Sequence, residues 1–63
     1  MKNDVAARRL ERRWTQAELA SALGVSRQTV ISIERGRFDP SLPLAFLIAR
    51  TFGCAIEDVF APD

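Results

Sequence analysis

The chain has no histidine, no tyrosine and one cysteine in 63 residues. With Cys54 alone, no intrachain disulfide forms, and without histidine the usual zinc ligand sets are missing. Only three glycines and three prolines are present, which excludes a low-complexity or disordered composition at 48% hydrophobic residues. No glycine-rich phosphate loop occurs, and the carboxylates are scattered along the chain, so the groups an active site requires are not assembled. An enzyme is not expected, nor is any cofactor or metal. Long apolar runs are also missing: the longest, Leu44 to Ala49, is far too short to span a bilayer, and MKNDVAARR lacks the apolar core of a secretory signal. These absences predict a cytoplasmic protein with no membrane partner, and a chain this size offers no obvious pocket for a small-molecule ligand.

What is there is helical. Ala, Leu, Arg and Glu dominate, and no alternating stretch is long enough for a convincing sheet, so the expected fold is all-α in a single domain, residues 1–63. Net charge is only +1, yet residues 1–37 hold eight Lys/Arg against four Asp/Glu, while residues 38–63 hold one Arg against four acids. The first part is thus at +4 and the second at −3.

Residues 16–35, QAELASALGVSRQTVISIER, read as two short helices joined by a tight turn, a helix-turn-helix. Ala20 is small where the two helices approach, Gly24 falls four residues later where a left-handed residue is needed, and Val25, Val30 and Ile33 supply the apolar contacts. Around this motif, Asn3 or Asp4 caps a first helix running to about Arg12. Thr15 caps the second, with Glu18 completing a capping box, and Ser26 caps the third, which Gly36 stops. After the Asp39-Pro40 turn, Ser41 caps a fourth helix from about Leu42 to Phe52, with Pro43 tolerated in its first turn and Gly53 closing it. Ala55 to Phe60 forms a short fifth helix with a poor cap.

In a helix-turn-helix the second helix enters the major groove and presents first-turn side chains to base edges. Here those are Arg27, suited to guanine O6 and N7, and Gln28, suited to adenine N6 and N7. A cation in a helix's first turn opposes the dipole, which an anionic partner would compensate. Ser32 lies one turn beyond Gln28; Ile31 is either a thymine-methyl contact or part of the core rim. Phosphate contacts are expected from Gln16 and Ser26 at helix N-termini and from Thr29, Arg35 and Arg37.

The stretches TQAELASALGVSRQTV, IERGRFDPSLPLAFLIARTFG and IEDVF resemble the compact Cro/lambda-repressor-like transcriptional regulators, also called the xenobiotic-response-element family, over nearly the whole chain. The resemblance implies a five-helix lambda-repressor-like domain whose third helix reads double-stranded operator DNA, usually as a two-fold dimer that regulates transcription. It further implies that Gln16 touches a phosphate and braces Gln28, and that Arg9 and Glu34 form an ion pair between the first and third helices. The chain departs from the family pattern at Arg13, where glycine is common, and at Ala55, where serine is common. The expected function is sequence-specific binding of double-stranded DNA and transcriptional regulation as a stand-alone repressor; an antitoxin or phage-type repressor subunit working with a second protein, and a protein-interaction module, are the alternatives. The fourth helix is apolar on two faces, which predicts a homodimer through the C-terminal half, using Phe46, Ile56, Val59 and Phe60.

Overall fold

A computed structural model describes residues 1–61; the remainder of the expected 1–63 domain, Pro62 and Asp63, lies outside the described residues. Five helices run in the order α1 (Val5–Glu11), α2 (Gln16–Leu23), α3 (Arg27–Glu34), α4 (Leu42–Phe52) and α5 (Ile56–Val59). Two short strands add to the expected helices. β1 (Lys2–Asn3) and β2 (Phe60–Ala61) pair antiparallel, with Lys2 opposite Ala61 and Asn3 opposite Phe60, and so clasp the two ends of the described chain together. Two residues per strand are too few to show alternation, so only the tertiary arrangement reveals them.

The caps explain most helix limits. Thr15 accepts the Glu18 N–H at 3.0 Å while the Glu18 carboxylate accepts the Thr15 N–H at 2.9 Å, a closed capping box at the start of α2. Gly24 ends α2 at φ +70°, where an L side chain would be strained. Ser26 and Ser41 accept the N–H groups of Thr29 and Leu44 at the starts of α3 and α4.

Helix α1 ends as expected, at Glu11 with Arg12 as its C-cap, and of the two residues expected to cap its start Asn3 does so, its Oδ1 accepting the Val5 N–H at 3.1 Å, while the Asp4 side chain makes no cap hydrogen bond. The Asp4 carboxylate accepts from Arg8 at 3.1 Å, the hydrogen bond that chiefly raises the Arg8 pKa. The Asn3 amide also donates to the Ile33 carbonyl at 2.9 Å, tying the N-terminal segment to α3. After α1, Arg13 takes the left-handed conformation at φ +58°, the geometry glycine accommodates at no steric cost. That turn lets the Trp14 N–H reach the Arg9 carbonyl at 3.2 Å and sets the Trp14 ring against Phe52, with centroids 6.3 Å apart. The Arg12 guanidinium lies 5.4 Å from the Trp14 ring and 5.5 Å from the Phe52 ring.

The core gathers Val5 from α1, Leu19, Ala20 and Leu23 from α2, Val30 and Ile33 from α3, and Ile48 and Phe52 from α4. Val59 and Phe60 join it at 3% and 7% exposure. This corrects their assignment to a dimer seam, because the single chain covers them itself: α5 is shorter than expected, and Phe60 leaves it as an extended residue pinned in β2. Among the described residues, no helix is long and apolar enough to cross a membrane.

Candidate nucleic-acid interface

Helix α3 divides into two faces. Val30 and Ile33 are buried, while Arg27 and Gln28 stand exposed in the first turn, immediately after the Ser26 cap. Ile31 and Ser32 are half-buried between these faces. Ser26 has extended φ and ψ, its Oγ accepts the Thr29 N–H at 3.1 Å, and the two hydroxyls lie 2.9 Å apart. A hydroxyl pair shares one proton in that bond and leaves the other for an outside acceptor such as a phosphate oxygen.

A compact polar network fixes α3 against α1 and α2. The Arg9 guanidinium donates to Glu34 through Nε at 2.7 Å and Nη2 at 3.3 Å, a two-pronged contact between side chains only 12% and 7% exposed. Its third nitrogen, Nη1, donates to the Trp14 carbonyl at 2.7 Å, and Gln16 Nε2 donates to Glu34 Oε1 at 3.1 Å. One carboxylate thus holds side chains from α1 and α2 against the end of α3. The links to Trp14 and Gln16 carry no sequence-spacing signal, since they follow from the left-handed turn at Arg13 and from the α2–α3 crossing. Gln16 is anchored in this way at the first position of α2, and its amide keeps a second N–H for another acceptor.

Beyond α3, Arg35 and Arg37 are exposed on the loop into α4. Their backbone is closed by the Gly36 N–H on the Ile33 carbonyl at 2.9 Å and the Arg37 N–H on the Ser32 carbonyl at 3.0 Å. A side chain at Gly36 would be strained at φ +73°, and its Cβ would come within 3.3 Å of the Met1 carbonyl oxygen. The Met1 amino group reaches Asp39 on the same loop at 3.1 Å, a contact that no motif announces. No ion pair among the described residues involves Arg27, Arg35 or Arg37. The arrangement therefore offers exposed cations and amides beside two capped helix N-termini, a surface suited to a polyanion. No group of His, Cys, Asp and Glu among the described residues could hold a metal ion.

Of the expected dimer residues, Phe46 is exposed and Ile56 half-buried, and both line an open groove between α4 and α5. This groove is remote in sequence from the α2–α3 motif.

Comparison with known proteins agrees with this geometry. A helix-turn-helix family model matches residues 5–59. An uncharacterised helix-turn-helix transcriptional regulator of Methanocaldococcus jannaschii is 57% identical over 60 residues, covering 95% of this chain and 91% of that protein. Another from Bacillus subtilis is 45% identical over 60 residues, with the same coverages of 95% and 91%. Among solved structures, a hypothetical transcription factor from Neisseria superposes with a TM-score of 0.79 at 29% identity, over 87% of this chain and 62% of that one. The clp gene regulator ClgR of Corynebacterium glutamicum superposes with a TM-score of 0.76 at 30% identity, over 86% of this chain and 57% of its own. This chain thus spans about three fifths of each of those two solved chains. On the family match, the relatives and the fold, the chain belongs to the Cro/C1-type helix-turn-helix family, non-enzymatic DNA-binding proteins that regulate transcription.

Proposed function

We propose that this protein binds a specific double-stranded operator by laying α3 in the major groove, with Arg27 and Gln28 reading base edges and Ser32 and Ile31 at the margin of the contact. The observation that carries the reading is the exposed Arg27–Gln28 pair at the N-terminus of a helix whose opposite face is locked into the core. Gln16, Ser26, Thr29, Arg35 and Arg37 contact phosphates and set the register. The Arg9–Glu34 pair supports that register by holding α3 and the Gln16 amide in one arrangement.

The domain's longest extent is 26 Å. Two major-groove faces on one side of B-DNA lie roughly 34 Å apart, so one copy does not reach both. The protein works as a homodimer reading two half-sites. Occupation of an operator denies that stretch to other proteins, so repression is the outcome that needs no additional surface. This reading puts the protein in the cytoplasm with its DNA.

Selection of bound sites from random duplex DNA supplies the test. The wild type is expected to enrich a two-fold-symmetric motif, and Arg27→Ala to lose about 1–3 kcal/mol on it while relaxing preference at one position. Arg37→Ala should weaken all sequences alike and reduce the salt dependence by about one counterion. An unchanged selected motif with Arg27→Ala would refute base reading by this residue.

A further inference from the structure

Four large apolar side chains stand exposed among the described residues, and one of them, Phe38, lies on the loop that carries Arg35 and Arg37 from α3 towards α4. Its ring is 46% exposed, takes no part in the core, and meets no other ring and no guanidinium among the described residues. The backbone on both sides of it is nevertheless held. The Gly36 and Arg37 N–H groups close the end of α3 on the Ile33 and Ser32 carbonyls, at 2.9 and 3.0 Å, and the Asp39 carboxylate meets the Met1 amino group at 3.1 Å. A fixed turn thus displays an uncovered aromatic ring directly after a cation that belongs to no ion pair among the described residues.

We propose that Phe38 lays its ring on the deoxyribose beside the phosphate that Arg37 contacts. A DNA strand alternates charged phosphates with sugars whose C–H faces are apolar, and Arg37–Phe38 sets a cation beside a hydrocarbon in the same order. Exposed arginines alone suit any polyanion. An uncovered ring next to them suits one whose anionic groups are separated by apolar ones. The Met1 ammonium also answers the charge of Asp39, the carboxylate that would otherwise repel a phosphate at this point of the loop. Because the turn is already closed by its own hydrogen bonds, covering the ring orders little further backbone, and the apolar contact passes into affinity. Such a contact takes no account of base identity, so it strengthens binding without altering the sequence preferred. The inference rests on the reading that this end of α3 faces DNA, and it adds a residue and a kind of contact to that reading.

Equilibrium binding of the full chain to a labelled duplex carrying its selected site, at about 50 to about 300 mM salt, is the measurement. Phe38→Ala is expected to weaken binding about fivefold at every salt concentration, which is what covering half a phenylalanine ring is worth. The slope of affinity against salt should stay as it is, because a ring releases no counterion, whereas Arg37→Ala lowers that slope by about one. A duplex of random sequence should show the same loss with Phe38→Ala, and the selected motif should not change. Hydroxyl-radical cleavage, which attacks deoxyribose, should return at a sugar beside the Arg37 phosphate while the rest of the footprint persists. Urea unfolding without DNA should keep the wild-type midpoint, since the ring is not part of the core. Should Phe38→Ala fail to fold, Phe38→Trp decides alone: its emission, read over that of Trp14, shifts to the blue when random duplex is added. Unchanged affinity, a lower salt slope, an altered motif or a lower urea midpoint with Phe38→Ala would overturn the proposal, as would emission from Phe38→Trp that ignores DNA. Because random duplex reports the contact without any base readout, the proposal stands even where Arg27→Ala shows base reading to be wrong.

Discussion

Around α3, two ionic side chains, Arg9 and Glu34, are 12% and 7% exposed, whereas on α4 two large apolar side chains, Leu42 and Phe46, are 65% and 52% exposed. The usual partition of charge outside and hydrocarbon inside is inverted in both places. The causes differ. Arg9 and Glu34 are affordable inside because Nε, Nη1 and Nη2 of the guanidinium and both carboxylate oxygens have partners. Nothing within the described chain covers Leu42 and Phe46 to the same degree. Burial thus distinguishes a network completed within one chain from a surface whose completion lies outside it.

Truncating phenylalanines in the C-terminal half separates the covered surface from the uncovered one by the largest margin. Phe60→Ala removes a ring from the core and should cost about 3–5 kcal/mol in urea unfolding. Phe46→Ala, measured at a concentration where the protein is monomeric, should cost less than about 0.5 kcal/mol, because its ring is already half in water. Similar losses for the two would mean that Phe46 belongs to the core.

Next in size is the ion pair. Glu34→Ala strands the Arg9 charge and removes the acceptor of Gln16, at an expected cost of about 3 kcal/mol or more. The exposed pair of Asp4, just before α1, with Arg8 one turn on makes the control, with little or no loss expected for Asp4→Ala. Double-mutant cycles on both pairs should give a large coupling energy for Arg9–Glu34 and a small one for Asp4–Arg8. Equal couplings would erase the distinction between the two sites.

What could be read in the chain before its structure follows the same division. Thr15, Gly24, Ser26, Ser41 and Gly53 act on backbone groups three or four residues away, so their roles at helix ends are written locally. The exposed face of α3 is legible for the same reason, because helical periodicity sets Arg27 and Gln28 apart from Val30 and Ile33. The clasp of β1 on β2, the Asn3 amide on Ile33 and the burial of Val59 and Phe60 depend on segments far apart in sequence. No local pattern encodes them. Apolar composition alone could not separate Phe60, which the chain covers, from Phe46, which it leaves exposed.

The two family departures allow finer adjustments, one in each half. At Arg13 the left-handed conformation costs a side chain roughly 1 kcal/mol, part of which glycine returns through greater freedom in the unfolded chain. Arg13→Gly is therefore expected to stabilise the fold by about 0.5–1 kcal/mol, seen as a higher urea midpoint with unchanged slope. Destabilisation instead would show that the Arg13 side chain holds something the backbone argument leaves out.

Ala55→Ser should give the smallest effect. The residue already has the extended backbone of an N-cap, with φ −83° and ψ 157°, and its N–H already donates to the Asp58 carboxylate at 3.0 Å. Half of a capping box is thus built, and only an acceptor on residue 55 is lacking, since alanine has none. A serine hydroxyl there would accept the Asp58 N–H and add about 0.5 kcal/mol, the low end for such caps because α5 is a single turn and the same N–H already reaches the Ala55 carbonyl at 3.0 Å. Amide hydrogen exchange at Asp58 is the sensitive measurement, because it reports opening of this turn even where global stability hardly changes. Slower exchange confined to α5 and β2 would show that the end of the chain is held by a local cap added to a tertiary clasp; no slowing would show that the clasp alone already fixes the turn.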